Sequence, residues 1–343
     1  MIHRTIPAVQ GPDLSLQSCW QEQLRSVITC PQHLLQILGL NATDLGYSEE
    51  ALGAFALRVT PAFVARMEHG NPRDPLLMQV LPHQNEMRQQ DSAQWQMDPL
   101  AESHYRAAEG LIHKYRGRVL LIAAPQCAIN CRYCFRRHFP YEENAPSRKE
   151  WQQSFNYIRE DSSIEEVILS GGDPLVLSDR QLEWLIEEIE NIEHVKRLRI
   201  HSRLPIVLPA RLSERFNRRL SMSRLQSILV IHANHPNEID EEVCCALRAS
   251  RDAGITLLNQ SVLLRGINDN CDIFTMLSNK LFECGVLPYY LHLLDKVKGA
   301  SHFQVEKSEA LTLYNKLRAQ LPGYLVPQLV EEIPGADSKT VIA

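Results

Sequence analysis

Along the second two-thirds of the chain, short apolar runs alternate with amphipathic stretches. The runs are rich in β-branched residues and lie at 119–123, 167–169, 198–200, 228–231, 256–264 and 286–293. Stretches with apolar residues at helical spacing follow at 151–159, 179–189, 209–220, 239–253, 273–284 and 306–320. The runs predict strands and the stretches between them predict helices. Six strand-then-helix units predict an α/β fold with parallel strands, either a doubly wound sheet or an incomplete barrel. Both gather ligands at the C-terminal ends of their strands.

The first hundred residues lack this rhythm. A helix is predicted over 16–28, a second from Pro31 to 37 ended by Gly39, and a third from Pro61 to 67 closed by Gly70. The stretch 82–97 is polar and rich in Gln, with Met87 and Trp95 as its large apolar points, and reads as a loop or linker. Composition adds little to the fold but narrows the function. With 343 residues, 44% hydrophobic and 22% charged, the chain is long enough for one large core plus a smaller lobe. Its net charge of −5 makes a general nucleic-acid binder a poor reading. The longest apolar run, near 119–124, is far short of the roughly 20 residues of a membrane span. Residues 1–7 carry no secretory core, so a cytoplasmic protein is expected.

Nine cysteines in a reducing compartment point toward metal binding, chemistry or core filling. Three of them, Cys127, Cys131 and Cys134, follow the first strand with the spacing C-x3-C-x2-C. Three thiolates can bind three irons of a 4Fe–4S cluster and leave the fourth open to an external ligand. The same residues with His138 could instead hold a structural zinc ion, or the thiols could simply be buried. Ser170-Gly171-Gly172-Asp173-Pro174 closes the second strand. Alone, that segment reads equally as a plain turn.

The flanking segments carry a more specific signal. They are Cys134-Phe-Arg136-Arg137-His138-Phe-Pro, Ile200-His-Ser-Arg-Leu-Pro-Ile-Val-Leu-Pro209, His232-Ala-Asn-His-Pro-Asn-Glu238, Asn259-Gln-Ser-Val-Leu-Leu264 and Tyr289-Tyr-Leu-His-Leu-Leu-Asp295. With the cysteine spacing, they resemble the lysine 2,3-aminomutase family of radical S-adenosylmethionine (SAM) enzymes, in one register from about 98 to 339. Among members, the chain looks most like those that make (R)-β-lysine for modification of elongation factor P.

The resemblance implies a partial (β/α)6 radical SAM barrel. A helical N-terminal region and linker (1–97) would precede a barrel core (98–304), and a C-terminal helix and lysine-bearing segment (305–343) would follow. It implies three cofactors: a 4Fe–4S cluster on Cys127, Cys131 and Cys134, SAM, and pyridoxal 5′-phosphate (PLP). Ser170, Gly171, Gly172, Asp173, His232 and Gln260 match SAM-contacting positions. The Asp173 carboxylate is expected to accept from the SAM amino group and the glycines to admit a close backbone approach.

Lys339, in Ile333-Pro-Gly335-Ala-Asp-Ser-Lys339, matches the family's PLP-binding lysine, although only Gly335 remains of the family's run of four glycines. Without the family, a lysine so near the terminus would read as frayed. Lys114, Tyr115 and Arg118 match a segment that cradles PLP, with Lys114 in place of an Arg. Arg136 matches the residue that pairs with the substrate carboxylate, a bidentate task that suits guanidinium. Asp295 matches the carboxylate that selects the distal ammonium. Glu332 stands where clostridial-type enzymes have an Asp near the α-amino end.

The implied substrate is L-lysine. The implied partners are an electron donor such as flavodoxin or ferredoxin and a functional link to elongation factor P and its lysyl-tRNA-synthetase-like ligase. No direct nucleic-acid or membrane partner is expected. A stand-alone lysine 2,3-aminomutase of amino-acid metabolism is the nearest rival, disfavoured because the sequence stops four residues after Lys339. A zinc-stabilised α/β binding module is the rival from another class. Cys19, Cys30, Cys244, Cys245, Cys271 and Cys284 receive no role, and a buried thiol is the default for the last four.

Overall fold

The computed structural model describes residues 19–88, 93–139 and 148–343. Its centre is a sheet of ten strands: β1 (Arg106–Ala108), β2 (Leu111–Tyr115), β3 (Arg118–Ala124), β4 (Glu166–Gly171), β5 (Arg197–Ser202), β6 (Gln226–Ile231), β7 (Thr256–Val262), β8 (Leu287–His292), β9 (Gln328–Glu331) and β10 (Thr340–Val341). Strands β3 to β8 are the six expected ones, each parallel to the next. They pair strictly in chain order, so the sheet has no point where the order reverses. A doubly wound sheet requires such a reversal. Right-handed crossovers in one direction place every helix on one face and turn the other inward, which is the partial barrel.

Strand alternation then sorts the residues. In β5, Leu198, Ile200 and Ser202 are buried, while Arg197, Arg199 and His201 take the opposite face. The helix-facing set joins one core with Leu185, Ile186, Ile189, Leu247 and Leu281. The interior set is unusually polar.

Four strands were not legible from the apolar pattern. β1 and β2 form an antiparallel flap on β3. β9 extends the sheet as a parallel neighbour of β8, and β10 folds back on β9. The sheet therefore crosses the expected division at 304–305.

Helix boundaries follow local chemistry. Ser178 and Gln181 form a capping box at the start of Asp179–Glu190. The helix expected over 209–220 is broken: Pro209–Arg211 is one tight turn, and Ser213 caps a new helix, Glu214–Ser221, by accepting from the Phe216 N–H. Gly39 ends Pro31–Leu38 as expected, at a left-handed φ of 65°. From the sequence prediction at 16–28, Trp20–Arg25 is helical, and residues 16–18 lie outside the described residues. The third N-terminal helix is one turn, Pro61–Val64, capped by Thr60.

The N-terminal region is a brace beneath the cysteine loop. The Asn130 N–H donates to the Arg58 carbonyl at 2.9 Å, and the Arg132 N–H to the Gln79 carbonyl at 2.8 Å. The stretch read as a linker supplies the anchor. Glu86 accepts from Arg132 through Nε at 2.9 Å and Nη2 at 2.6 Å, and from Arg137 Nη2 at 2.6 Å. All three side chains are buried. On the outside of the barrel Cys244 and Cys284 form a disulfide, with Cα atoms 4.9 Å apart. Cys245 is exposed and Cys271 half-buried. The default of four buried thiols is therefore corrected. The helix Glu241–Asp252 and the end of Cys271–Glu283 bring one pair together, and the helix periodicity points Cys245 outward.

Replacing Glu86 with Gln leaves two buried guanidiniums without a counter-charge. Removing one partner of a buried pair costs about 3 to 5 kcal/mol. The urea midpoint of unfolding at neutral pH is expected to fall accordingly, and an unchanged midpoint refutes the role.

Candidate active site

β3 ends at Ala124, and the cysteine loop begins three residues later. The strand end of β4 packs directly on this loop. The Gly172 N–H donates to the Ala124 carbonyl at 2.9 Å, and the Asp173 N–H to the Gln126 carbonyl at 3.0 Å. A Cβ on Gly172 would stand 2.4 Å from the Gln126 carbonyl oxygen, and Gly171 has φ 118°. Glycine is thus required by contact between two protein segments next to Cys127. The expectation that these glycines serve a ligand's approach misses this nearer cause.

Asp173, expected to meet the SAM amino group, has internal donors. Its Oδ1 accepts from Ser202 Oγ at 2.7 Å and the Leu175 N–H at 3.0 Å. Its Oδ2 accepts from the N–H groups of Arg203 at 2.8 Å and Leu204 at 3.1 Å. These four bonds tie the ends of β4 and β5 together.

Cys127, Cys131 and Cys134 are free and half-buried. Burial, with Cys131 beside it, pushes the Cys134 thiol up to about 11. Burial also raises Cys127 well above the usual thiol range, with Asp173 and the other two thiols adding. A bound cationic centre would favour the thiolate form of both. His138 does not join them: its Nε2 lies 2.9 Å from the Lys298 carbonyl. Among the described residues, no three His, Cys, Asp or Glu side chains converge on a single-ion site. The three free thiols supply the donor set of a 4Fe–4S cluster with one open iron.

Arg136 follows the last cysteine and turns into the barrel. Its Nε and Nη2 grip Glu102 in a fork at 2.7 and 2.6 Å, and Nη1 donates to Ser170 Oγ at 3.1 Å. The guanidinium is thus presented for two-point binding of a carboxylate. Glu102 was not identified from the sequence, and only its proximity to the flap strands marks it.

A second group gathers around Glu332, just past β9. Lys339 Nζ donates to its Oε2 at 2.5 Å and Lys114 Nζ to its Oε1 at 3.0 Å, and the Tyr115 hydroxyl donates to Oε1. Burial works against ionised Glu332, yet the Lys339 charge and these donors hold it down to about 2. The structure therefore joins Glu332, read as a substrate residue, to the residues read as PLP-binding. The Arg118 guanidinium lies over the Tyr115 ring at 4.8 Å, and Lys339 Nζ over Tyr290 at 5.8 Å. These cations fit a phosphate-bearing anion such as PLP.

Gln260 Nε2 and His232 Nε2 meet at 2.9 Å between the two groups. Burial, then the nearby Arg203 charge, lowers His232 to about 3, so it is neutral. The Asp295 carboxylate lies within electrostatic reach of Lys339, Glu332, Glu102 and Lys114. Sequence reasoning also missed His201 and His292, whose Nε2 atoms are buried without a hydrogen-bond partner among the described residues. Both lie on the interior-facing period of their strands, which a strand-by-strand count of polar inward positions would have flagged.

The cysteine loop, strands β4 to β7, His232 and Gln260 lie within residues 121–276, which match the Radical SAM superfamily. L-lysine 2,3-aminomutase from Haemophilus influenzae is 48% identical over 97% of this chain and 98% of that protein. The chain belongs to the lysine 2,3-aminomutase family of radical SAM enzymes. The Escherichia coli enzyme of the same name is 50% identical over 94% of this chain and 93% of its own. That of Clostridium subterminale is 34% identical over 94% and 77%. Membership makes the chain an enzyme of the isomerase class and implies a 4Fe–4S cluster and SAM, in keeping with the three free thiols.

Replacing Gly172 with Ala forces its Cβ into the Gln126 backbone, and overpacking of this kind costs about 1 to 3 kcal/mol. Reconstituted iron content should fall with it. Gly53→Ala, whose Cβ meets nothing within 4 Å, is the matched control and should retain full iron. Equal iron in the two variants refutes the packing role.

Proposed function

We propose that this enzyme converts L-lysine to (R)-β-lysine with a 4Fe–4S cluster, SAM and PLP, and that the product serves modification of elongation factor P. The observation that carries the reading is the meeting of Lys339, Lys114 and Tyr115 on Glu332. It brings a C-terminal lysine to the flap residues that the family resemblance assigns to PLP. When bound, the cluster and SAM supply a radical that takes a substrate hydrogen, and PLP supplies the π-system for amino migration.

In this reading Cys127, Cys131 and Cys134 hold the cluster. Ser170, Gly171, Gly172, Asp173, His232 and Gln260 form the SAM site, with Asp173 shaping it from behind. Lys114 and Arg118 meet the PLP phosphate, Tyr115 lies between them, and Lys339 is the covalent anchor. The Arg136 fork exchanges Glu102 for the lysine carboxylate, and Asp295 receives the side-chain ammonium. Glu332 keeps its negative charge beside the amino groups and accepts from Lys339 until Lys339 is taken up as the covalent anchor. Asp295 would repel glutamate, which favours lysine. Residues 1–97 act as the brace, 98–304 as the barrel core, and 305–343 as the segment that delivers Lys339.

The electron comes from a flavodoxin or ferredoxin in this proposal, and the product passes to the lysyl-tRNA-synthetase-like ligase that acts on elongation factor P. Identity is 48–50% to the Haemophilus and Escherichia relatives, matched over 93–98% of their length, and 34% to the clostridial one, matched over 77%. A cytoplasmic site of action follows from the same reading. Among the described residues no helix is long and apolar enough to cross a membrane.

The test is anaerobic incubation of the reconstituted protein with SAM, PLP, dithionite and either lysine or glutamate. β-Lysine of R configuration is expected, with no β-glutamate. Cys131→Ala should abolish SAM cleavage, and Lys339→Ala should abolish the absorbance of lysine-bound PLP. β-Lysine formed by either variant overturns the corresponding assignment. A mass increase of elongation factor P when product and ligase are supplied together tests the destination.

A pH profile tests Asp295. Burial raises its carboxyl to about 7, against the lowering pull of Lys339. It is protonated below that value and anionic above it. Accordingly kcat/KM for lysine should rise as pH passes upward through about 7, and Asp295→Asn should remove that rise. A rise that persists in the variant assigns it to another group.

A further inference from the structure

Behind the cysteine loop lies a buried polar cluster that the proposed reaction does not use. Its centre is Arg203, at the end of β5 and 5% exposed. Arg203 Nη1 donates to Cys131 Sγ at 2.6 Å and to the Tyr133 hydroxyl. Nη2 donates to Gln79 Oε1 at 2.7 Å and reaches Glu238 Oε2 at 3.4 Å. Nε is buried with no protein acceptor among the described residues. The backbone N–H of the same residue is fixed on Asp173. Its neighbours Gln79, Tyr133, Asn234 and Glu238 are all buried. Arg203 thus joins this buried cluster to Cys131, with His232 of the proposed SAM site within electrostatic reach.

From this juxtaposition we propose that Arg203 is a positioning residue that sets the reduction potential of the iron–sulfur cluster, with Glu238 as its counterweight. The inference rests on the assignment of the cluster to Cys127, Cys131 and Cys134. One electron from a one-electron donor of the flavodoxin or ferredoxin class adds one negative charge to the cluster. No bond breaks, and no proton is required. A fixed cation that donates a hydrogen bond to a ligating sulfur stabilises the more negative, reduced state, and raises the potential. Desolvation strengthens the effect, because little water lies between guanidinium and thiolate. Glu238 offsets part of that charge, and its own position is fixed by Gln79 Nε2 at 3.0 Å and the N–H groups of Asn234 and His235, both at 3.1 Å.

The experiment is a potentiometric titration of the reconstituted full-length protein without SAM, read by the electron paramagnetic resonance signal of the reduced cluster. Arg203→Gln keeps donors near Cys131 but removes the charge. It should make reduction at least tenfold less favourable, a shift of about 59 mV to lower potential for one electron. Glu238→Gln should shift the potential in the opposite direction. A merely structural role predicts no such pair of opposed shifts. Equal potentials in wild type and Arg203→Gln, both with full cluster, overturn the inference. If Arg203→Gln loses its cluster, Glu238→Gln decides: a higher potential supports the inference, and an unmoved or lower one overturns it. A wild-type chain that takes up no cluster, or a Cys131→Ala variant that retains a full one, overturns the cluster assignment instead and this inference with it.

Discussion

The cysteine loop keeps its shape because a single buried carboxylate, Glu86, holds two arginines of that loop. Burying Arg132 and Arg137 beside one Glu leaves an excess positive charge, which is costly unless every donor finds an acceptor. The chain meets most of that need with carbonyls: Arg132 donates to Phe55 at 2.5 Å and Ala51 at 3.0 Å, and Arg137 to Arg132 at 2.9 Å and Gly299 at 3.2 Å, while Arg137 Nε has no acceptor among the described residues. Both guanidiniums also lie over the Phe55 ring at 4.9 Å. These acceptors come from the N-terminal region, from the loop itself and from the segment after β8. The loop is therefore clamped from two sides by parts of the chain that share no strand. Three thiols spaced within eight residues have many conformations open to them. This clamp, with the Gly172 contact, selects one.

The barrel distributes its chemistry by the same two-residue alternation that builds its core. One face of each parallel strand gives Leu, Ile or Val to the helices. The other gives Arg199, His201, His232, Gln260, Tyr290 and His292 to the interior. A polar interior costs stability unless it is paired or solvated, so its retention marks the site. The pairing is uneven. Glu332 satisfies three donors, whereas His201 and His292 keep unpartnered nitrogens, and burial drives both well toward the neutral form. Among the described residues these nitrogens have no partner, and both rings lie within electrostatic reach of Lys339, where the proposed reaction needs groups able to meet a ligand.

The repeating part of the fold was legible because six apolar runs exceed any chance pattern, and their order excludes a doubly wound sheet once pairing is known. The flap and the last parallel strand were not. β2 reads Leu-Ile-His-Lys-Tyr and β9 reads Gln-Leu-Val-Glu, too short and too polar to stand out, because each is half-devoted to the site. The same trade hid Glu86 in a Gln-rich stretch that resembles a linker by composition. Composition reports average solvation, while one buried carboxylate is a property of its partners, and those are 46 and 51 positions away. Residue types at the site were legible through the family register, but their bonds were not. Asp173 was read with an external partner, and its four internal donors were not foreseen. Glu332 was read beside the substrate amine, and its bond to Lys339 was not foreseen.

The contrast between these two carboxylates has a physical logic. A carboxylate saturated by four donors cannot move without breaking several bonds at once, so Asp173 suits the fixed end of the site, where β4, β5 and the cysteine loop must keep register. Glu332 is held by three flexible side chains, two of them cations, and each bond can be surrendered singly as other charges arrive. Arg136 and Glu102 form a pair of the same exchangeable kind. On the proposed reading, substrate binding is then an exchange of ion pairs: Glu102 yields Arg136 to the substrate carboxylate, and the substrate amine takes the place beside Glu332 that Lys339 leaves when it becomes the covalent anchor. Lysine brings one net positive charge, which anionic Asp295 and the freed Glu102 offset. That limits the desolvation cost of bringing a zwitterion with an extra ammonium into a site that must also exclude water. The rigid carboxylate serves the metal end and the exchangeable ones serve the organic end, so the two halves of the site differ in mobility by the number of donors on their acids.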